Sequence, residues 1–419
     1  MILKTIFKKY SPVLTPERLF MLSVLVVNGG NYFYNLIFGR ILGPAQFADA
    51  AVLITFLLVL SFVAMTFQLT TAKFFVVFEK ELFQNFLSKI YKYASIFGVI
   101  CGVLIILFSK QLQHLFNTSS SSMFCVFGIG VPLYFLMSVN RGIFQGQKAF
   151  KALSITYQTE MLSRLLLTLA LIYTLEIDSS VIIAIGILIS FGFGLIPFHF
   201  KNLNFKIASA ITPSKHIQVR HFFIITAFYE LTQIIINNSD ILLVKHYFES
   251  HEAGLYASLA LIGRIVYFIA WMFVILLLPT VVQLKKEGKP TTHILFKYVG
   301  YIAGIAAVII SSSALFPETV ISLLFGDEYL AIADLLWKYA LATGVFALSN
   351  LFAYYFLSLD KYIPVIISGV FGLLQMGLVI YFHDSLEQVV HMQIITMILL
   401  LVVQVLFFFL DQKKITANS

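Results

Sequence analysis

Residues 19–48 read LFMLSVLVVNGGNYFYNLIFGRILGPAQFA. The first part, Leu19–Phe38, has the length and apolarity of a membrane-spanning helix, which needs about 20 residues to cross the hydrocarbon core. Three asparagines interrupt it: Asn28, Asn31 and Asn35 stand at i, i+3 and i+7 and share one helix face. An amide without a partner is costly in hydrocarbon, so this face is expected to turn away from lipid. Gly39, Gly43 and Pro44 then predict a loop that reverses the chain within about ten residues.

Segments of this kind recur from end to end. The chain has 419 residues, 60% hydrophobic and 11% charged, with a mean hydropathy of +0.93; soluble domains carry about 25% charged residues. Apolar runs predict twelve spans, at 19–38, 50–72, 91–109, 123–141, 153–175, 179–198, 222–244, 254–283, 294–316, 331–357, 362–382 and 388–410. The fold class is therefore an all-α polytopic membrane protein. The opening segment MILKTIFKKYSPVLTPERL is basic and lacks a cleavable apolar core. It reads as a retained cytoplasmic tail, short enough to form an amphipathic helix on the membrane surface.

The net charge of +8 follows the positive-inside rule better than it suggests nucleic acid, and no nucleic-acid partner is expected. With both termini cytoplasmic, most lysines and arginines fall in inner segments, and only Arg40, Lys110 and Lys245 lie outside. Glu176, Asp178, Glu249, Glu252, Glu318, Asp327, Glu328, Asp384 and Glu387 are all placed outside. Adding or losing one span would scramble this pattern.

The longest inner loop divides the chain into an N-lobe (1–200, spans one to six), a linker (201–221) and a C-lobe (222–419, spans seven to twelve). The halves echo each other. Gln233, Asn237 and Asp240 in span seven stand close to the offsets of Asn28, Asn31 and Asn35. Arg40 aligns with Lys245, FADAAVLITF (47–56) resembles GLYASLALIG (254–263), and LFNTSSSSMF (115–124) resembles LFGDEYLAIA (324–333). Two parallel six-helix repeats around a central cleft are expected.

Ionisable residues within spans are costly and mark function by default. Glu160 and Arg164 lie in span five, Glu230 in span seven and Arg264 in span eight, with Asp240 and Lys338 nearer the outer surface. In span seven, Thr226, Glu230, Gln233, Asn237 and Asp240 form one polar stripe. It predicts a cavity wall or ion path, against the plainer reading of helix–helix hydrogen bonding. Span eight aligns Tyr256, Ala260, Arg264, Tyr267 and Trp271. A cation beside aromatic rings suits phosphate and sugar, although Tyr256 also fits an interface anchor. Glu160 and Arg164, at i and i+4, can instead neutralise each other. The stretch RGIFQGQKAFK (141–151) reads as a basic inner loop, either a phosphate binder or a tight turn.

Cys101 and Cys125 both fall in spans and read as ordinary buried residues. The nine histidines are scattered. Phosphate-binding loops, metal clusters and nucleophile elbows are missing from the sequence, so no enzyme, cofactor or metal site is expected. A membrane-bound polymerase or glycosyltransferase would need a sizeable catalytic loop, and the sequence has none.

GRILGPAQFA (39–48), RGIFQGQKAF (141–150), DILLVKHYFESHEAGLYASLALIGR (240–264) and LFGDEYLAIADLLW (324–337), in this order, resemble the polysaccharide-transporter branch of the multidrug/oligosaccharidyl-lipid/polysaccharide flippase superfamily, which includes Wzx-type O-antigen flippases. The resemblance implies a flippase of the bacterial inner membrane. It would move an undecaprenyl-pyrophosphate-linked oligosaccharide to the outer leaflet by alternating access, driven by an H+ or Na+ gradient and working beside polysaccharide polymerase machinery. Family members line their cleft with spans one, two, seven and eight. Carried onto this chain, Arg264 and Arg164 are the cavity cations. Asn28, Asn31, Asn35, Gln233, Asn237 and Tyr267 face the sugars, while Glu230, Asp240 and Glu160 serve ion coupling. Arg40 reads as structural. The acidic residues keep a second expectation open, a MATE-like exporter of organic cations coupled to a cation gradient.

Overall fold

At 1.5 Å per residue a straight helix of 62 residues would be about 93 Å long, some three times the hydrocarbon thickness. In the computed structural model the first helix, α1 (Pro16–Val77), has that many residues. It is two helices joined at a single break. Gly43 adopts φ 71°, ψ 172°, a left-handed φ that favours glycine, and Pro44 opens the second limb with its preset φ. A Cβ on Gly43 would also sit 2.9 Å from the Glu328 carboxylate. The expected ten-residue loop is thus one residue: Gly39 and Arg40 remain helical, as do Ala45–Ala48.

The structure describes residues 16–198, 213–267, 287–359 and 361–418, together with 269, 270, 277, 280, 281, 284 and 285. The N-terminal tail, residues 201–212 of the expected linker and Trp271 lie outside them. Twelve further helices follow α1 among the described residues. They are α2 (Lys80–Leu107), α3 (Ser109–Leu115), α4 (Ser122–Gly146), α5 (Phe150–Thr174), α6 (Ser179–Gly194), α7 (Pro213–Tyr247), α8 (Ser250–Gly263), α9 (Thr292–Leu315), α10 (Pro317–Leu324), α11 (Leu336–Ser358), α12 (Ile363–Tyr381) and α13 (Leu386–Asn418), with a 3-10 turn at Asp327–Leu335 before α11. Each expected span falls on a helix, and span eight runs from α8 into residues that are only partly described. Span seven begins earlier than expected, because α7 takes in Pro213–His221. Eight helices are long and apolar enough to cross a membrane by length and composition, among the described residues. α5 has 25 residues, long enough to cross, but is not among the eight.

Two compact units divide the chain, residues 1–35 with 56–230 and residues 36–55 with 231–419. The break in α1 and the residues flanking it therefore group with the second unit, unlike a simple split into halves. In the first unit, α4 packs along α2 and α6, and α6 packs along α5. Small residues allow the close α2–α4 approach: a Cβ on Gly102 would lie 2.4 Å from the Gly128 carbonyl. The other side of α2 leaves Ile96, Val99, Ile100, Val103 and Leu104 exposed, an apolar strip suited to lipid. In the second unit, α11 is the central element. It packs against α8, α9, α12 and α13, and large side chains around its circumference, such as Tyr339, Phe346, Leu351 and Phe356, are buried.

Candidate functional site

In the first unit, the last turns of α4 bring Arg141 against α5. Its Nη2 donates to Glu160 Oε2 at 2.6 Å and to the Thr156 carbonyl at 2.9 Å, while Nε donates to Thr156 Oγ1 at 3.1 Å. The guanidinium also lies over the Tyr157 ring, 4.0 Å from its centroid. Arg164, one turn beyond Glu160, donates to the other carboxylate oxygen and to Ser190 Oγ of α6 at 3.4 Å. All three charged side chains are nearly buried, 6–12% exposed. Two guanidinium groups therefore share one carboxylate, and the cluster carries one positive charge in excess. Burial makes that charge costly unless a further anion arrives.

This corrects the reading of residues 141–151 as a loop. Arg141–Gly146 belongs to α4, and Arg141 is the cation that the sequence reading missed. The signal was available, since Arg141 closes an uninterrupted apolar span. Glu160 and Arg164 do pair at i and i+4, but Arg141 unbalances the pair.

The asparagine row sits on the first limb of α1. Asn28 is exposed, Asn31 and Asn35 are half-buried, and Asn35 Nδ2 donates to the Asn31 carbonyl at 2.8 Å. The neighbouring face of that limb packs on α5, where Gln158 reaches Ser23 and Met161 meets Gly30. The exposed apolar side chains Leu22, Val26 and Phe33 fall on the opposite side of the helix from Asn31 and Asn35.

In the second unit, Asp240 of α7 is the centre of a buried network. Its carboxylate accepts from Arg264 Nη2 at 2.8 Å, the Tyr339 hydroxyl at 2.7 Å, the Tyr256 hydroxyl at 3.1 Å and Gln393 Nε2 at 3.1 Å. Arg264 donates further to Tyr339 at 3.2 Å and to Asn238 Oδ1 at 3.3 Å. Helices α7, α8, α11 and α13 thus meet at one neutral ion pair. Arg264 and Asp240, read from the sequence as substrate cation and coupling acid, are partners of each other. Tyr256 is fully buried and so is no interface anchor.

The network also draws in Asn238, Tyr339 and Gln393, which the sequence reading passed over. The Asn237–Asn238 doublet was a visible signal; Tyr339 and Gln393 carried none, because only folding brings α11 and α13 to α7. Gln233 accepts from the Tyr267 hydroxyl at 3.3 Å, and Asn237 bonds back to the Gln233 carbonyl at 2.8 Å. Tyr267 stacks on Phe346. Glu230, half-buried on α7, makes no ion pair or hydrogen bond among the described residues.

A second buried pair in this unit was also missed: Lys245 Nζ lies 2.9 Å from Asp49 Oδ1, with both side chains at most 5% exposed. Nearby, two of the sequence motifs interlock. The Tyr329 hydroxyl donates to the Gly39 carbonyl at 2.6 Å, Arg40 donates to the Leu323 carbonyl at 3.2 Å, and Phe325 packs on Phe47. GRILGPAQFA and LFGDEYL therefore form one joint, and Arg40 has the structural place expected of it. No group of residues able to hold a metal ion occurs among the described residues.

Over residues 37–334 the chain matches a family described as "Polysaccharide biosynthesis protein". No curated protein sequence matches the chain. Three solved structures share its fold at 15% identity. "Lipid II flippase MurJ, inward closed conformation" has a TM-score of 0.73 and covers 94% of this chain and 87% of its own. A MATE crystal structure, in complex with MaD5, has a TM-score of 0.63 and covers 96% of each chain. A MOP superfamily transporter from Pyrococcus furiosus has a TM-score of 0.57 and covers 96% of this chain and 94% of its own. At this identity the likeness shows the fold alone.

Proposed function

The chain belongs to the polysaccharide biosynthesis protein family, with the all-α polytopic fold of the MOP superfamily. On that premise we propose that it is a flippase, not an enzyme. Its substrate is an undecaprenyl-pyrophosphate-linked oligosaccharide, such as an O-antigen or other surface-polysaccharide repeat unit. The protein carries this lipid from the inner to the outer leaflet of the bacterial inner membrane by alternating access.

The observation that carries the reading is the Arg141–Glu160–Arg164 cluster, with its one excess positive charge among buried helices. A polyanionic head group cannot cross hydrocarbon unaided, and a guanidinium pair offers it charge-assisted, directional donors. Arg141 and Arg164 are the substrate-binding cations. The amides of Asn28, Asn31 and Asn35 suit sugar hydroxyls. Arg264 is withdrawn from substrate binding by its bond to Asp240. Glu230, without a cationic partner among the described residues, is the better candidate than Asp240 or Glu160 to carry a coupling H+ or Na+.

The exporter of organic cations needs an acidic, unneutralised cavity. Glu160, Asp240 and Asp49 are each paired with a cation, which counts against it. Complementation of a flippase-deficient strain tests the proposal. Wild-type protein should restore surface polysaccharide, and Arg141→Gln combined with Arg164→Gln should abolish it. Full activity in that double variant, or efflux of organic cations by the wild type, overturns the reading.

A further inference from the structure

Glu160 is the buried acid to which substrate binding at Arg141 and Arg164 gives no task. Its carboxylate is divided between two helices. Oε2 accepts from Arg141 Nη2 of α4 at 2.6 Å, and Oε1 accepts from Arg164 Nη2, one turn along α5. A phosphate offers paired oxygens of the same kind, so the carboxylate stands where a bound head group would engage the two guanidinium groups. The surroundings supply no second anion. Arg141 and Tyr134 face the carboxylate from α4, and Arg164 stands beside it on α5. Tyr157 of α5 lies under Arg141, Tyr34 of α1 lies near Arg164, and α6 presents Ser190 to Arg164. The end of α6 closes over the cluster: a Cβ on Gly194 would lie 3.1 Å from Glu160 Cβ and 3.4 Å from Arg141 Nη2.

Charge balance then decides what binding requires. Two guanidinium groups and one carboxylate leave one positive charge, with the three side chains 6–12% exposed. A pyrophosphate diester carries two negative charges. Bound beside an ionised Glu160, it would leave one negative charge uncompensated among buried helices, where such a charge neutralises itself instead. Phosphate oxygens that take the donors of Arg141 and Arg164 also strip Glu160 of both its cations, and a buried carboxylate without a cation is costly. Arg141 Nη1 and Arg164 Nη1 make no hydrogen bond among the described residues. A head group can therefore engage each guanidinium before the carboxylate lets go. One proton on Glu160 removes both costs: the cluster becomes doubly positive, and the neutral carboxyl gains an O–H donor.

We infer that Glu160 takes up one proton each time a dianionic head group binds at Arg141 and Arg164, and gives it up when the head group leaves. The inference rests on the flippase reading and makes its head-group site proton-linked. In the substrate-free protein two cations hold Glu160 as a carboxylate, so this proton arrives with the substrate, separately from any ion on Glu230. A phosphodiester lipid of single charge neutralises the cluster while Glu160 stays ionised, and so binds without a proton.

The test is binding of a synthetic polyprenyl-pyrophosphoryl monosaccharide, both phosphates of which stay singly ionised around neutrality, to the full-length protein in phosphatidylcholine nanodiscs. Calorimetry in buffers of different ionisation enthalpy should read about one proton taken up per lipid bound, and Kd should rise about tenfold for each pH unit above neutrality. Infrared difference spectra should gain the band of a protonated carboxylic acid on binding. Glu160→Gln should bind with no proton uptake, no such band and a Kd that varies less than about twofold over the same range. Phosphatidylglycerol should bind the wild type without proton uptake. A wild type that binds the pyrophosphate lipid with no proton uptake overturns the inference, and this measurement stands even if Glu160→Gln does not fold. Equal uptake in folded Glu160→Gln overturns it too, by assigning the proton to another acid, as does equal uptake with phosphatidylglycerol. The two readings fail differently. If the proton link alone is wrong, the wild type complements a flippase-deficient strain and binds the lipid without uptake. If the flippase reading alone is wrong, proton-linked binding persists while the wild type does not complement. A wild type that binds no pyrophosphate lipid overturns both.

Discussion

Arg264 and Asp240 form a buried ion pair at 2.8 Å, 9% and 2% exposed, in which the carboxylate also receives two tyrosine hydroxyls and an amide. Breaking a buried pair leaves a lone charge and costs about 3–5 kcal/mol. Arg264→Ala and Asp240→Ala should each lower the stability of the detergent-solubilised protein by that order. The double variant should lose clearly less than the sum, because neither charge is then stranded. Thermal unfolding of the four proteins measures this; strict additivity would mean that the pair is energetically uncoupled.

Arg141 holds Glu160 and Thr156 through separate nitrogens and stacks on Tyr157. A lysine supplies charge but not that fork. Arg141→Lys should therefore retain only a fraction of flipping activity, about tenfold down, since one charge-assisted bond is worth some 1.5–3 kcal/mol. Arg164→Lys loses less, because Arg164 makes fewer bonds. Quantified surface polysaccharide in the complemented strain reads both, and wild-type activity from Arg141→Lys would remove Arg141 from the site.

Asp49 and Lys245 bury opposite charges 2.9 Å apart. Asp49→Ala or Lys245→Ala should each reduce folded yield, and the swap Asp49→Lys with Lys245→Asp should recover part of it. Fluorescence-detected size exclusion compares the three. No recovery on swapping would show that the Lys245 bond to Ser250, rather than the ion pair, sets the geometry.

Gly43 combines a positive φ with a carboxylate where a Cβ would stand. Gly43→Ala should cost on the order of 1–3 kcal/mol from backbone strain alone, visible as a lowered unfolding temperature. An unshifted transition would mean that the α1 break relaxes without cost.

Glu230→Gln removes an acid that has no ion pair among the described residues, so the fold should tolerate it. If Glu230 carries the coupling ion, transport by this variant in proteoliposomes should no longer respond to an imposed H+ or Na+ gradient while substrate binding persists. A gradient response equal to wild type would assign coupling elsewhere.

Much of the architecture was legible before folding. Apolar runs and charge asymmetry locate helices directly, because hydrocarbon length and the cost of burying a charge act on each segment separately. The same local rules found Glu160, Arg164, Glu230, Asp240 and Arg264, each an ionisable residue inside an apolar run. They misread two places where one residue decides. Gly43 alone breaks α1, where composition suggested a loop, and Arg141 ends a span that continues as helix for five more residues.

Pairing between helices was the property that the sequence did not hold, although the Glu160–Arg164 pair within one helix was legible at i, i+4. From residues alone, Arg264 was a free cation and Asp240 a free acid; packing of α7, α8, α11 and α13 makes them one neutral unit. Packing likewise sets Arg141 beside Glu160 and leaves a surplus charge there. The physical reason is one of range. Periodicity and hydropathy act within a helix turn or a span, so the chain itself determined the helices, their apolar faces and which residues are charged. Whether a buried charge is neutralised depends on contacts between helices far apart in sequence, and only the tertiary structure decided which positive charges are left without a counter-charge.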